Sequence, residues 1–400
     1  MEEVAFFFGS RYLPDLIVLV LVLIAQAAGL LLILRGPAAG AAPWVRRAIL
    51  LCAAASVTAV MFGFLLRSSR VSGHFPSWWA GWGRGLAITW AVLSVLWATA
   101  YALSRALSHS MDRACGGDPA DHSPARRNFL RLARTALFGV PAAALGYGVF
   151  VGRFQLALRE QDIPIADLPP DLDGLRLVQL TDIHLSPFLS EQELERAVAM
   201  ANETHAHVAL VTGDLITSSN DPLDACLDQL SRLRADAGIF GCLGNHEVYT
   251  RSERYVTIRG ARLGMRFLRR DAAALRFGLT TLNVAGVDYQ RFSKPYLVGA
   301  DRLVQHDAFN LLLSHNPDVF PVAARQGYQL TLAGHTHGGQ VRVEILSQDI
   351  NIARFYTPYV DGLYRAGASS IFVSRGIGTI GLPARFGAPP EVALLRLRRT

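Results

Sequence analysis

Leu330-Thr331-Leu332-Ala333-Gly334-His335-Thr336-His337-Gly338-Gly339-Gln340 joins a short apolar run to two histidines set among glycines. The run reads as a buried strand, and imidazoles at its end suit a divalent transition metal. Side chains alternate along an extended chain, so His335 and His337 are expected on one face. The glycines let the backbone turn sharply and pass close to an ion. Taken alone, the segment leaves open both a metal site and a pair of ordinary hydrogen-bonded histidines.

Upstream, the same pattern recurs. Leu175–Leu180 leads to Asp182-Ile183-His184, and Val208–Thr212 leads to Gly213-Asp214. Ile239–Leu243 leads to Gly244-Asn245-His246-Glu247, and Asn310–Ser314 runs into His315-Asn316. Leu279–Ala285 is a further strand candidate, and Ser190-Glu191-Gln192-Glu193 has the capping-box spacing that opens a helix. Alternating strands and helices imply an α/β domain whose ligands gather beyond the carboxyl ends of the strands. A single strand-end Asp is usually a turn or helix cap. Five such clusters in succession, all rich in oxygen and imidazole donors, point to metal chemistry. Asp182 and His184 are expected on one face of an extended chain, and the two oxygens of Asp214 can bridge two ions. No Ser/His/Asp or Cys/His arrangement competes, and no phosphate-binding G-x-x-x-x-G-K-[ST] loop is present.

The ordered set D-x-H, G-D, G-N-H-[DE], H and G-H-x-H resembles the calcineurin-like metallophosphoesterase superfamily, over roughly Leu175 to Leu397. The tail Val373-Ser374-Arg375-Gly376-Ile377-Gly378, followed by Pro390-Glu391, looks like its bacterial membrane-associated or exported phosphodiesterase branch. The resemblance implies a β-sandwich of two mixed sheets flanked by helices, and two divalent ions of the Mn, Fe or Zn kind. One ion would take Asp182, His184, Asp214 and His337; the other would take Asp214, Asn245, His315 and His335. His246 would sit by the phosphate as acid or electrostatic partner, and Glu247 would support the ligands. A water activated between the ions would attack phosphorus in line.

The first part of the chain is of another kind. Half of all residues are hydrophobic (51%), and four apolar stretches fall before residue 153: Leu16–Leu34, Ala48–Leu66, Gly85–Ser104 and Thr135–Gly152. Each is about long enough to cross ~30 Å of hydrocarbon, the last being shorter and interrupted by Pro141. Trp78, Trp79 and Trp82 precede the third stretch, where interfacial aromatics belong. No charge lies near the centre of a stretch, so anchoring is indicated and transport is not. Organisation is therefore expected as a transmembrane region over 1–153, a linker over 154–170 and a metallophosphoesterase domain over 171–400.

Residues 1–153 hold 14 Arg against 6 Asp and Glu, while the remainder holds 25 Arg and Lys against 26 Asp and Glu. The net charge of +7 thus belongs to the membrane region and reads as topology, with no nucleic-acid partner expected. Arg35, Arg46 and Arg47 mark the first loop, and Arg105, Arg113, Arg126, Arg127, Arg131 and Arg134 the third. The N-terminus, with Glu2, Glu3, Asp15 and Arg11, is not basic; the second loop is mixed, with Arg67, Arg70 and Arg84. The best fit places loops one and three in the cytoplasm and the catalytic domain outside the cell or in the periplasm. Ala125-Arg126-Arg127-Asn128-Phe129-Leu130-Arg131 resembles a twin-arginine export signal and fits an ordinary positive-inside anchor equally, so twin-arginine or Sec machinery is the implied partner. Cys52, Cys115, Cys226 and Cys242 show no zinc spacing; Cys226 and Cys242 read as small buried thiols before they read as a pair.

The favoured reading is a multi-pass inner- or plasma-membrane protein that hydrolyses phosphodiesters near the bilayer, lipid headgroups among them. A pyrophosphatase of a nucleotide-linked lipid, or a phosphomonoesterase, is the alternative enzyme. A non-catalytic membrane module is a third reading, disfavoured by the complete ligand set. The Arg-rich stretch Arg251–Arg276 fits either contact with anionic headgroups or a solvated helix face.

Overall fold

The computed structural model describes residues 13–35, 38–66, 69–114, 124–291, 295–345 and 348–400. They form two units, divided between Tyr147 and Gly148. Glu2, Glu3, Arg11, Arg67, Cys115 and Lys294 lie outside the described residues.

The first unit is helical. Its helices are Leu13–Arg35, Pro43–Leu65, Ser77–Ala114 and Pro124–Phe150, the last running past the unit boundary. All four contain a stretch long and apolar enough to cross a membrane. Side chains such as Leu21, Ile24, Leu51 and Leu96 are exposed, as lipid-facing residues would be. Small residues let the helices approach: a Cβ on Gly63 would sit 2.2 Å from that of Ala87. Polar side chains link them as well, with Gln26 Nε2 donating to Ser94 Oγ at 3.1 Å and Trp90 Nε1 to Ser56 Oγ at 2.7 Å. Trp78, Trp79 and Trp82 lie in the first turns of the third helix, ahead of the apolar stretch Gly85–Ser104.

The second unit is built on two six-stranded sheets. One has the order β1 (Ala157–Ile165), β14 (Glu391–Arg399), β2 (Arg176–Leu180), β3 (Val208–Val211), β4 (Ile239–Gly241), β5 (Met265–Phe267). The other runs β12 (Gly362–Ala366), β13 (Ser369–Val373), β9 (Leu330–Ala333), β8 (Ala308–Leu313), β7 (Thr280–Gly286), β6 (Asp271–Phe277). A hairpin of β10 (Arg342–Ile345) and β11 (Gln348–Asn351) stands apart. Pairing is parallel except β14–β2, β6–β7 and β12–β13, so both sheets are mixed.

Alternation along the strands explains the layers. In β3, Val208 and Leu210 enter the space between the sheets, while Ala209 and Val211 point to a helical layer with Leu194, Val198 and Leu227. Both faces are covered, so the central strands read as unbroken apolar runs. The helix Glu191–Glu203 begins as its sequence predicts: Ser190 Oγ accepts the Glu193 N–H, and Glu193 accepts the Ser190 N–H at 2.7 Å. The Arg-rich stretch covers the helix Glu253–Arg262, β5 and most of β6; the helix buries Val256 and Gly260 and pairs Arg259 with Asp228 at 2.9 Å.

The expected linker over 154–170 is a strand instead. Strand β1 pairs in parallel with β14 from Ala157↔Glu391 to Ile165↔Arg399, and Ile163 and Ile165 are buried between the sheets. Glu160 and Asp162 lie on the outer face of an edge strand, while Arg159, on the face of Ile163 and Ile165, is half-buried over the Phe372 ring and pairs with Glu391, so the segment reads as solvated. Ile163→Ala should therefore destabilise the unit by about 2–5 kcal/mol, the usual range for a buried Ile or Leu truncation. Pulse proteolysis of the detergent-solubilised full chain in urea checks this; a true linker would give no change.

Candidate metal centre

Strands β2, β3 and β4 of one sheet and β8 and β9 of the other all finish at one edge of the sandwich. Within a few residues of their ends come Asp182, Asp214, Asn245, His315 and His335. Asp182, His184, Asp214, Asn245, His315 and His337 are buried, while His246 and His335 are half-buried. Ligand-type atoms of Asp182, His184 and His337 lie within 4.8 Å of one another. Those of Asp214, His315 and His335 do too, as do those of His184, Asp214 and His246. Asp214 joins the groups: its Oδ2 is 3.4 Å from His184 Nε2 and 3.1 Å from His315 Nε2. Every residue expected in the site except Asn245, whose amide is considered below, thus falls within one of these groups.

The route by which they converge differs from the expectation. Extended alternation does not aim Asp182 with His184, or His335 with His337. All four, and Asp214, have left-handed backbone, with φ of 49°, 47°, 75°, 52° and 56° respectively. For side-chain-bearing residues this conformation costs of order 1–3 kcal/mol each and persists only where surroundings fix it. Here the backbone is held by bonds between the strand ends: Asp182 N–H donates to Gly213 O at 3.1 Å, and His184 N–H to Asp214 O at 3.0 Å. The His335 N–H lies 3.0 Å from both oxygens of Asp182. Two glycines act by absence of a side chain. A Cβ on Gly244 would lie 2.1 Å from Asp214 Oδ1, and one on Gly334 would lie 2.2 Å from Asp182 Oδ2.

Glu247 is fully buried and orders two of the loops. Its carboxylate accepts the N–H groups of Asp214 at 3.0 Å, Leu215 at 2.8 Å and Gly244 at 2.7 Å. Burial, with the neighbouring Asp214 charge, raises its pKa. Burial also works against every charge in the cluster. It prevails at His335 and His246, whose pKa values fall to about 3 and about 4. At His315 burial is outweighed by Asp214 and Asp182 together, and the pKa rises to about 10. Asp214 is likewise held well below the carboxylate range, since His315 and His246 overcome its burial.

The residues fit divalent cations. Buried Asn245 Oδ1 has no hydrogen bond, and buried His184 Nε2 and His315 Nε2 have no well-aligned one, meeting only the Asp214 oxygen at 3.4 and 3.1 Å. Such orphans cost roughly 1–3 kcal/mol each unless something else satisfies them. The opposite nitrogens, meanwhile, are engaged. His315 Nδ1 donates to Thr212 O at 2.7 Å, His246 Nδ1 to Thr217 O at 2.7 Å, and His184 Nδ1 lies 3.2 Å from Thr217 Oγ1. Fixing one nitrogen on the protein and aiming the other at a shared space is how metal-binding histidines are oriented. The mixed oxygen and imidazole set suits Mn, Fe or Zn. Cys226 and Cys242 are unpaired and buried, and burial raises both thiol pKa values, so neither competes for an ion.

One residue of the site escaped sequence reading. Arg385 is fully buried, and its guanidinium donates to the carbonyls of Gly378, Arg375, Gly376, Ala388 and His337. It ties the turn carrying His337 to the Arg375–Gly378 loop. A single arginine in an otherwise featureless loop carries no local signal of this role. Tyr289 was missed as well; its ring stands 5.7 Å from that of His335 and 6.2 Å from that of His315.

Comparison with known proteins agrees with this geometry. Residues 175–339 match the family described as calcineurin-like phosphoesterase. An uncharacterized metallophosphoesterase of Helicobacter pylori (strain J99) is 30% identical over 291 residues, 69% of this chain and 74% of that protein. Phosphodiesterase YaeI of Escherichia coli is 29% identical over 280 residues, 68% of this chain and 98% of that one. A zebrafish (Danio rerio) transmembrane protein with metallophosphoesterase domain is 29% identical over 289 residues, 68% of this chain and 63% of its own length.

Arg385→Lys should lower metal affinity about 10–100-fold, the usual penalty for losing a group that orients a ligand. Lysine keeps the charge but not the five-donor fork that serves several carbonyls at once. Metal titration of the purified variant measures the effect, and wild-type affinity would show that the guanidinium does not position His337.

Proposed function

The chain belongs to the calcineurin-like metallophosphoesterase family, the metal-dependent phosphoester hydrolases, and within it we propose a membrane-anchored phosphodiesterase that holds two divalent ions. The observation that carries this reading is a pair of clusters, Asp182, His184 and His337 in one and Asp214, His315 and His335 in the other, connected through Asp214 Oδ2, 3.4 Å from His184 Nε2. Asp182, His184, Asp214 and His337 would hold one ion, and Asp214, Asn245, His315 and His335 the other. Such a pair acidifies a water and neutralises phosphate oxygens.

The chain's own groups do the rest. Asp214, with both oxygens directed by the backbone of His246 and by the surrounding imidazoles, fixes the spacing of the two halves. His246 is not needed as a ligand. With its Nδ1–H donated to the Thr217 carbonyl, Nε2 is the atom left to face a scissile phosphoester. It would give a proton or hydrogen bond to the leaving oxygen as the imidazolium, a form that burial disfavours and that an anionic phosphoester beside it would favour. The four candidate spans support a substrate at the bilayer, and the phosphodiesterase relative supports a diester, so the substrate class proposed is a lipid-headgroup phosphodiester. Arg46 and Arg47 in the first loop, and the arginines between Arg105 and Arg134, support an extracytoplasmic catalytic domain in an inner or plasma membrane.

Two outcomes test these readings. His246→Ala should keep its metals and lose about 10²–10⁴ in turnover on alkyl phosphodiesters, with a much smaller loss on nitrophenyl esters, which leave without protonation. Equal losses on both would remove the leaving-group role; loss of metal would overturn the ligand assignment. For topology, an alkaline phosphatase fused after Thr400 should be active in whole cells, and an inactive fusion that becomes active when placed after Arg46 would invert the orientation.

A further inference from the structure

Among the described residues of the second unit, exposed large apolar side chains gather at Phe150, Val151 and Phe154, at the end of the last apolar stretch, and as Tyr255 and Ile258 on the helix Glu253–Arg262. One turn gathers three more: Ile352, Phe355 and Tyr356 are 63%, 86% and 77% exposed, with Arg354 exposed between them. The turn is not loose. Asn351, buried at its start, caps it by accepting the Ala353 N–H at 3.0 Å. Thr357, buried at its end, donates its N–H to Ala353 O at 3.0 Å and its hydroxyl to Asp318. A backbone pinned at both ends holds bulky apolar groups mostly in water, where they bury little of their surface. The same Asn351 also holds the segment that follows His337. Its Nδ2 donates to Gly338 O at 2.9 Å, and its Oδ1 occupies the space a Cβ on Gly339 would need, 2.0 Å away. Whatever the turn grips is therefore connected rigidly to the His337–Gly339 segment.

Aromatic and aliphatic side chains beside an arginine are the composition of membrane-interface anchors: the rings and Ile enter the headgroup layer and the cation meets anionic lipid. This chain also supplies the bilayer. The last apolar stretch ends at Phe154 and β1 begins at Ala157, with two residues between, so a bilayer holding that stretch would meet the domain at high effective concentration. We propose that the Ile352–Tyr356 turn is a bilayer-docking tip, which dips into anionic lipid and holds the adjoining metal centre at the headgroup surface. The proposal rests on the lipid-diester reading above and adds the surface through which the enzyme would reach that substrate.

The test uses the full chain in nanodiscs of phosphatidylethanolamine and phosphatidylglycerol, in a Cys52→Ser/Cys115→Ser background. An environment-sensitive fluorophore on Phe355→Cys should shift to the blue and be quenched by doxyl-labelled lipids at least about twofold more than one on Leu279→Cys, an exposed residue of the β6–β7 turn. Equal quenching at the two positions overturns the proposal. A second arm replaces Ile352, Phe355 and Tyr356 by Ser. Cleavage of hexadecyl 4-nitrophenyl phosphate in the same lipids should fall tenfold or more, while cleavage of soluble methyl 4-nitrophenyl phosphate stays within twofold. Parallel loss on both esters also contradicts a docking role. If the wild type cleaves neither ester, the diesterase reading fails, and the quenching arm still decides whether the tip enters lipid.

Discussion

A carboxylate, Asp214, buried among imidazoles from both sheets, is the constraint on which the rest of the site depends. It can stay ionised there only because His315 and His246 offset its desolvation, and only if its backbone is held in a conformation that Asp seldom adopts. Three arrangements meet those demands. Glu247 binds the N–H groups of Asp214, Leu215 and Gly244, Gly244 leaves room for the Oδ1 atom, and the His246 N–H donates to that oxygen. The sandwich makes them possible by ending β3 and β4 side by side, so that the two loops can bond to each other.

Much of this was legible in the sequence because chemistry-bearing residues sit at strand ends, where an apolar run stops abruptly at Asp, Asn or His. The mixed sheets, the capping box at Ser190 and the seven candidate ligands all follow from that signature or from the family resemblance it carries. The reason given for convergence was mistaken. Alternation predicts extended backbone at Asp182-Ile183-His184, but the strand ends at Leu180 and hydrogen bonds across loops impose left-handed turns, which no local pattern announces. Strand β1 was hidden for a related reason. An edge strand with one solvated face shows Glu160 and Asp162 where a central strand would show valine, and its partner, β14, lies at the other end of the chain. Arg385 has no sequence signature, since its five carbonyl partners are assembled only by the fold.

The membrane half follows simpler rules and was correspondingly easier to read. Length and apolar composition located four helices, and the structure lengthens the third to Ala114 and closes Gly63 onto Ala87. What composition could not supply is the link between lipid and chemistry. The link proposed above is the Asn351 side chain, which joins an exposed apolar turn to the glycines beside His337.

Metal stoichiometry tests the central claim most directly. Elemental analysis of the reconstituted full chain should give two divalent ions per protein, falling by most of that in Asp214→Ala, because the shared carboxylate serves both positions. A wild type that saturates at one ion, or an Asp214→Ala variant that retains both, would contradict the two-metal site.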